Sequence, residues 1–462
     1  MEENLNPNSH EVNFVDVTVR DGNQSLWDAT GLTTAMMFSI APVMDRVGFK
    51  AVDFISSMHM GMAVRWHKEN PWERIRLVCQ AMPNTPLSFG TSGRRFIGFK
   101  HSPDSVLALV LKRMAANGIR RLWIIDAPHE ADVIYRNARW AKAAGIEDVM
   151  VALSYSISPV HTDEYYAQKA RQIVECPDVD TIYLKDQGGL LTPERIRTLV
   201  PTIQQNINGL PLEIHSHCNT GLAPLCYLEA AKLGVGTFHT AVPTLANGPS
   251  LPSIENTLNN LDRSGFTSNI DRVVLAEMAV YFKNVAEREG RQPGAPVEYN
   301  TYCYEHQVPG GMLTTLKRQL AEVKMGHRLD EVLEEVIRVR KELGYPIMVT
   351  PFSQFVGGQS TMNIMSGERY KVVPEGVIQY AAGWFGEPPA PIDPNILDKI
   401  ASSPRAKEFF KKEFPQPSVK ELRQQMGIRP EVSDEEFLLR FSMSDKEVDD
   451  MLAAGPTKTQ YP

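Results

Sequence analysis

Short apolar or β-branched runs recur along the chain, separated by segments whose apolar positions repeat every three to four residues. The runs are NFVDVTV (13–19), AVDFIS (51–56), LSFGTS (87–92), RLWIID (121–126), VMVALSYS (149–156), TIYLKD (181–186), LEIHSH (212–217) and TFHTAV (237–242). Each predicts a strand. Between them, TTAMMFSIAPVMDRVG, PDSVLALVLKRMAANG, DEYYAQKARQIVEC and APLCYLEAAKLGVG predict amphipathic helices, several closing on a glycine that suits a left-handed cap. Eight β/α alternations within the ~250 residues usual for such a fold predict an α/β architecture, a (β/α)8 TIM barrel, with a doubly wound sheet as the main rival.

After the eighth run the alternation stops. YCYEHQVPGGMLTTLKRQL, LDEVLEEVIRVRKELG and VTPFSQFVGGQSTMNIM predict a mostly helical second domain. The proline-rich EPPAPIDPN (387–395) reads as a rigid connector. A last stretch with the acidic signals SDEE and SDKE reads as short helices, ending in a frayed GPTKTQYP. The expected division is a barrel over 1–295, a helical domain over 296–410 and a helical tail over 411–462.

Composition narrows the classes of function. At 462 residues the chain has room for about two to three domains, and 43% hydrophobic with 22% charged residues is ordinary for a soluble, well-cored protein. A net charge of −7, with no long Lys/Arg run, argues against a nucleic-acid surface and for a small-molecule partner. Five cysteines, Cys79, Cys176, Cys218, Cys226 and Cys303, lack disulfide-framework spacing and fit a reducing compartment. The polar, acidic start MEENLNPNSHEVN and the lack of a membrane-length apolar stretch fit a cytoplasmic location with no membrane partner.

Barrel active sites sit at the C-terminal ends of the strands, and polar residues gather there. Run 1 ends in Thr18, Arg20 and Asp21, run 4 in Asp126, run 6 in Lys185 and Asp186, and run 7 in His215 and His217. The two histidines, one residue apart on a strand, project to the same side. The plain alternative is a pair satisfied by hydrogen bonds. Runs 6, 7 and 1 share one arc, so Asp21, Lys185, His215 and His217 can converge on a cation. An ammonium beside a cation is repulsive, so Lys185 either points away or carries CO2 as an anionic carbamate. A cation there polarises a carbonyl and favours an enolate, which implies making or breaking a carbon–carbon bond next to that carbonyl.

VTVRDGNQSLWDA resembles the TLRDAHQSLLAT opening of the carboxyltransferase components of pyruvate carboxylase, oxaloacetate decarboxylase and transcarboxylase. ENPWERIRLVCQAMPNTPL, SYSISPVHT, YLKDQGGLLTPERI, HSHCNTGL, YEHQVPGGMLTTLK and VTPFSQFVGGQ carry the same likeness, in order, from about residue 14 to 365. The resemblance implies a zinc, manganese or cobalt ion held by Asp21, Lys185 as its carbamate, His215 and His217. It places Arg20 and Gln24 on the keto acid as catalytic and substrate-binding residues, with Lys185 also catalytic, and it implies a homodimer.

The departures are specific. Where the family has a substrate arginine in an RGANxxGY-like motif, this chain has SGRRFIGF, with Ser92 at the arginine and Phe99 at the closing tyrosine. The family aspartate that partners that tyrosine falls at Gly61. In LANGPSLPS, Pro249 occupies the position of a threonine that passes a proton between biotin and enolate; a shift of one residue would place Ser250 there. No Met-Lys-Met biotinyl motif occurs.

The leading expectation is therefore a divalent-metal-dependent, biotin-independent lyase or transferase (a decarboxylase or aldolase) acting on a carbonyl or keto-acid substrate other than pyruvate. Ser92, His59, Arg94, Arg95 and Cys218 are the candidate contacts of an altered pocket. Each has a bland alternative: Cys218 as a small buried residue, the arginines as surface ion pairs. His161 reads as loop packing, and Glu305, Gln354 and Gln359 as structural. The alternatives are a carboxyltransferase subunit served by a separate biotinyl protein, and a non-catalytic metal-bound scaffold.

Overall fold

The computed structural model describes residues 11–98, 100–410 and 414–461. Phe99 lies outside them. Eight strands, β1 (Asn13–Asp16), β2 (Ala51–Ser56), β3 (Leu87–Thr91), β4 (Arg121–Ile124), β5 (Asp148–Ser154), β6 (Thr181–Asp186), β7 (Leu212–Ser216) and β8 (Thr237–Thr240), pair in sequence order. All pairings are parallel and β8 closes on β1, which makes the (β/α)8 barrel.

The helices form for local reasons that the sequence carries. Over Pro193–Gln204, the Thr192 side chain accepts from the Arg195 amide and Pro193 opens the first turn. Ile196, Leu199, Val200 and Ile203 then share the face buried on the sheet.

Six strands end earlier than their runs, β1 and β5 among them. β1 stops at Asp16 because the chain enters a π-helical turn, Thr18–Gly22. The Asp16 carboxylate caps that turn, accepting from the Thr18 amide at 3.2 Å and hydroxyl at 2.5 Å. Such wide turns recur at functional positions. This one carries Arg20 and Asp21. β5 stops at Ser154, before Tyr155 and Ser156.

A second hydrophobic core lies in the helical region, built on Leu316, Val332, Val336, Phe352 and Ile378 among others. Arg340 ties this region to the C-terminal end of β5, donating to the Ile157 carbonyl at 3.1 Å and the Ser156 hydroxyl at 2.8 Å. The proline-rich 387–395 stretch lies against the helical region. Its Ala390 and Asp393 amides donate to the Gly344 and Glu342 carbonyls at 3.0 and 2.8 Å.

The C-terminal helices Val419–Gln425, Asp434–Ser442 and Asp445–Ala453 return to the barrel, where Leu422, Phe437, Leu438 and Met451 join its core. The final segment also packs rather than fraying, with the Tyr461 hydroxyl 3.0 Å from Glu289. No helix among the described residues is long and apolar enough to cross a membrane.

Candidate metal centre and active site

Four polar side chains converge at the C-terminal end of the barrel. β6 and β7 run in register with Lys185 beside His215, and the turn after β1 swings Asp21 over them. Asp21 Oδ2 lies 3.1 Å from His215 Nε2, 3.6 Å from His217 Nε2 and 3.7 Å from Lys185 Nζ. Lys185 Nζ is 2.8 Å from His215 Nε2, and the two Nε2 atoms are 3.2 Å apart. All four residues are buried. Ligand atoms of Asp21, His215 and His217 fall within 4.8 Å of one another, the only such grouping of three or more His, Cys, Asp or Glu among the described residues.

Both imidazoles are held from behind. His217 Nδ1 is 2.6 Å from the Pro249 carbonyl, and His215 Nδ1 is 3.1 Å from His239 Nδ1. A carbonyl can only accept, so His217 Nδ1 carries a proton and the ring turns its Nε2 to the cluster. Burial alone would raise Asp21, but Arg20, His217 and Lys185 beside it hold the carboxyl well below its ordinary range. Burial also lowers Lys185, to about 8, against the opposing pull of Asp21.

Arg20 stands next to this group. Its Nε donates to Asp53 Oδ2 at 2.7 Å, its Nη2 bonds the same oxygen, and Nη2 lies 2.8 Å from Asp21. Its guanidinium sits 4.9 Å from the Trp123 ring centre, and Trp123 Nε1 donates to the other Asp53 oxygen at 2.8 Å. Gln24, in the helix Asn23–Trp27, is half-buried.

The other residues singled out from the sequence are placed differently. Arg94 is spent on Asp126 at 2.7 Å and Glu130 at 2.6 Å, and Arg95 donates to the Thr350 carbonyl at 3.1 Å. The Ser92 hydroxyl is buried with no hydrogen-bond partner among the described residues. Cys218 is buried, which pushes its thiol far up and leaves it unreactive. His59 bridges Ser56 Oγ and the Arg20 carbonyl, and burial lowers it to about 3. His161 faces Ser158 Oγ at 2.6 Å. The shifted register that would make Ser250 the hydroxyl is closed, since Ser250 Oγ donates to the Leu245 carbonyl at 2.7 Å. Asp186 accepts from the Leu190 and Leu191 amides and from Ser216, which makes it a loop anchor.

Two residues near the cluster are not singled out by the sequence pattern alone, Glu213 and His239. A signal for them exists. Glu213, His215 and His217 occupy alternate positions of one run, so a single face of the strand is polar throughout.

Comparison with known proteins agrees with this architecture. Residues 303–454 match the family model described as a conserved carboxylase domain. The chain is 37% identical over 391 residues to a pyruvate carboxylase subunit of Methanocaldococcus jannaschii, covering 84% of this chain and 68% of that protein. It is 33% identical to the pyruvate carboxylase subunit of the same name from Methanothermobacter thermautotrophicus, covering 94% and 76%. Among solved structures, the carboxyl transferase domain of Rhizobium etli pyruvate carboxylase with oxamate and biotin superposes with a TM-score of 0.88 at 22% identity, covering 98% and 79%.

These relatives overturn the expectation of a biotin-independent enzyme that avoids pyruvate. They are named pyruvate carboxylase subunits, and a further one, 32% identical, is the 2-oxoglutarate carboxylase large subunit of Hydrogenobacter thermophilus. The expectation rests on Ser92 and Pro249. A missing side chain identifies a lost contact, not a lost reaction, because neighbouring groups can take over its work. A chain this similar along most of its length to such subunits, closed into the same barrel, belongs to the carboxyltransferase family of pyruvate carboxylase and is an enzyme of that family.

Proposed function

We propose that this protein is the carboxyltransferase subunit of a multi-subunit, biotin-dependent carboxylase, moving a carboxyl group between a biotin carried on a separate protein and a small 2-keto acid, with pyruvate first. The observation that carries the reading is the convergence of Asp21, Lys185, His215 and His217 beside Arg20, in a chain whose relatives are carboxylase subunits.

The donor set fits a divalent cation. Two imidazoles presenting Nε2 and one carboxylate are a borderline set suited to zinc, manganese or cobalt. Asp21, His215, His217 and Lys185 as its carbamate would hold it. A cation at this place supplies Lewis-acid polarisation of the keto oxygen and so favours the enolate. For Lys185, burial keeps a share of the amine uncharged near neutral pH, the form that adds CO2, and an anionic side chain relieves its repulsion from a cation.

The protein's own groups do the orienting. Arg20 is braced by Asp53 and Trp123, and its Nη1 makes no bond among the described residues, which leaves that edge for the substrate carboxylate. The Gln24 amide also has no side-chain partner there and stands one turn further along. The buried cluster excludes bulk water from the carbon that would be carboxylated. By resemblance to its family the protein also pairs as a homodimer; light scattering that returns a single 51.7 kDa chain would set that part aside.

The test measures bound metal in the purified chain, then pyruvate released from oxaloacetate with and without free biotin. The expected result is about one metal per chain and biotin-stimulated turnover. A metal-replete protein that turns over neither oxaloacetate nor the carboxylated form of 2-oxoglutarate in response to biotin would sink the proposal.

A further inference from the structure

A chain of hydrogen-bonded side chains runs through the barrel lumen beneath the cluster. Glu213 is fully buried on β7. Its Oε1 accepts from Arg121 Nη2 at 2.6 Å and from Lys50 Nζ at 2.7 Å, and its Oε2 lies 2.9 Å from His239 Nε2. The β7–β8 register pairs Glu213 with Thr237, which sets His239 across from His215 on the lumen face. The Nδ1 atoms of those two rings are 3.1 Å apart. The Tyr183 ring stacks on His239 at 5.6 Å with 12° between the planes, which fixes the imidazole plane.

We propose that Glu213 and His239 are positioning residues for His215, fixing the tautomer and ring orientation in which it offers Nε2 to a divalent cation. The inference rests on the metal reading above. With a cation taken at His215 Nε2, the proton count leaves one arrangement. An ionised carboxylate only accepts, so His239 Nε2 carries a proton and donates to Glu213. The remaining nitrogen of a neutral His239 is an acceptor, and the one proton that fits between the two Nδ1 atoms is then that of His215. His215 Nε2 is left with its lone pair, 3.1 Å from Asp21. A cation bound at Nε2 demands the same placement of every proton.

A plain ion pair is the competing account, with Glu213 present only to neutralise Arg121. That account leaves Oε2 idle, whereas Oε2 is the atom turned to His239. His217 needs no such relay, because the Pro249 carbonyl holds its Nδ1 directly.

The experiment uses the full-length protein, stripped of metal and titrated with Co2+. His239→Phe removes the acceptor and keeps a planar ring; His239→Gln restores an oxygen that can accept from His215. His239→Phe is expected to weaken Co2+ binding by about 10- to 100-fold and to shift the visible Co2+ absorption, with His239→Gln recovering most of both. A folded His239→Phe with unchanged affinity and spectrum overturns the inference. Should that variant not fold, 15N-histidine spectra of the unsubstituted Zn2+-loaded protein decide. Protons on His215 Nδ1 and His239 Nε2 support the inference, and any other pair overturns it. An unsubstituted chain that binds no Co2+ overturns the metal reading itself, and this inference with it.

Discussion

Arg20, which we propose holds the substrate carboxylate, is braced by Asp53 and Trp123 before any substrate arrives. A guanidinium buried without a counter-ion would be costly, and Asp53 meets that cost while aiming the group. Asp53→Asn removes the charge but keeps the shape. It is expected to lower kcat/KM for the keto acid by about 10- to 100-fold, the equivalent of one charged hydrogen bond, while bound metal stays at the level of the unsubstituted protein. Steady-state kinetics beside metal analysis checks this, and equal losses of metal and activity would contradict it. At this scale the sequence is legible where a local period governs. The His-x-His spacing on a strand shares one face, and the structure has both rings in the cluster. It is silent where a partner is distant in the chain. Arg94 reads as available in the sequence, but Asp126 and Glu130, more than thirty residues away, take its nitrogens. Glu213 and His239 pass unremarked because they lie inside runs that read as wall rather than contents.

The elements are easier to anticipate than their ends. All eight runs contain a strand, since alternating β/α punctuation is repeated and each helix carries its own caps. What pattern cannot convey is a neighbour. The 387–395 stretch has the composition of a linker, yet it lies along residues 342–344 because their carbonyls face its amides. The C-terminal helices are amphipathic in sequence, but which surface receives them depends on the fold. Glu435 joins them to the barrel by accepting from Arg76, Arg113 and Asn117. Phe437 is fully buried there, so Phe437→Ala is expected to destabilise the whole barrel by about 3–5 kcal/mol. Leu452→Ala, at a residue 45% exposed on the next helix, should change stability by less than about 0.5 kcal/mol. Chemical denaturation of both variants makes the comparison. Equal, small effects would mean that these helices are not part of the barrel's cooperative unit.

For the molecule as a whole, buried histidines are expected to weaken the fold in acid, opposed in part by Asp16, whose carboxyl burial raises to about 7. Burial lowers both His59 and His161 to about 3, far below an exposed imidazole. Below about pH 6.5 the unfolded chain takes up protons at these positions that the folded chain refuses, so stability falls with pH and continues to fall towards pH 3. Each group contributes up to ~1.4 kcal/mol per pH unit over that range. Thermal melts at pH 7.5, 6 and 5 are expected to show a progressive loss of Tm, and a flat profile would contradict the neutral assignment. The same scale explains why substrate and cofactor are misjudged from sequence. Ser92 and Pro249 read as losses from a site, whereas relatives alike along most of this chain are named pyruvate carboxylase subunits.

The wide turn that follows β1 has a consequence for how this protein can vary. Five residues, Thr18–Gly22, make a turn one residue longer than an α-helical one, anchored at one end by Asp16 and closed by the Gly22 amide on the Val17 carbonyl at 3.0 Å. Within such a loop, direction depends on counting. Removing a single residue would rewind the segment towards an ordinary helix and turn Arg20 and Asp21 by about 100°, away from the barrel axis. A substitution leaves this count intact, whereas a change of length does not. The spacing between the first strand and its aspartate is therefore a feature that descent can preserve even where a letter such as Val17 or Val19 changes.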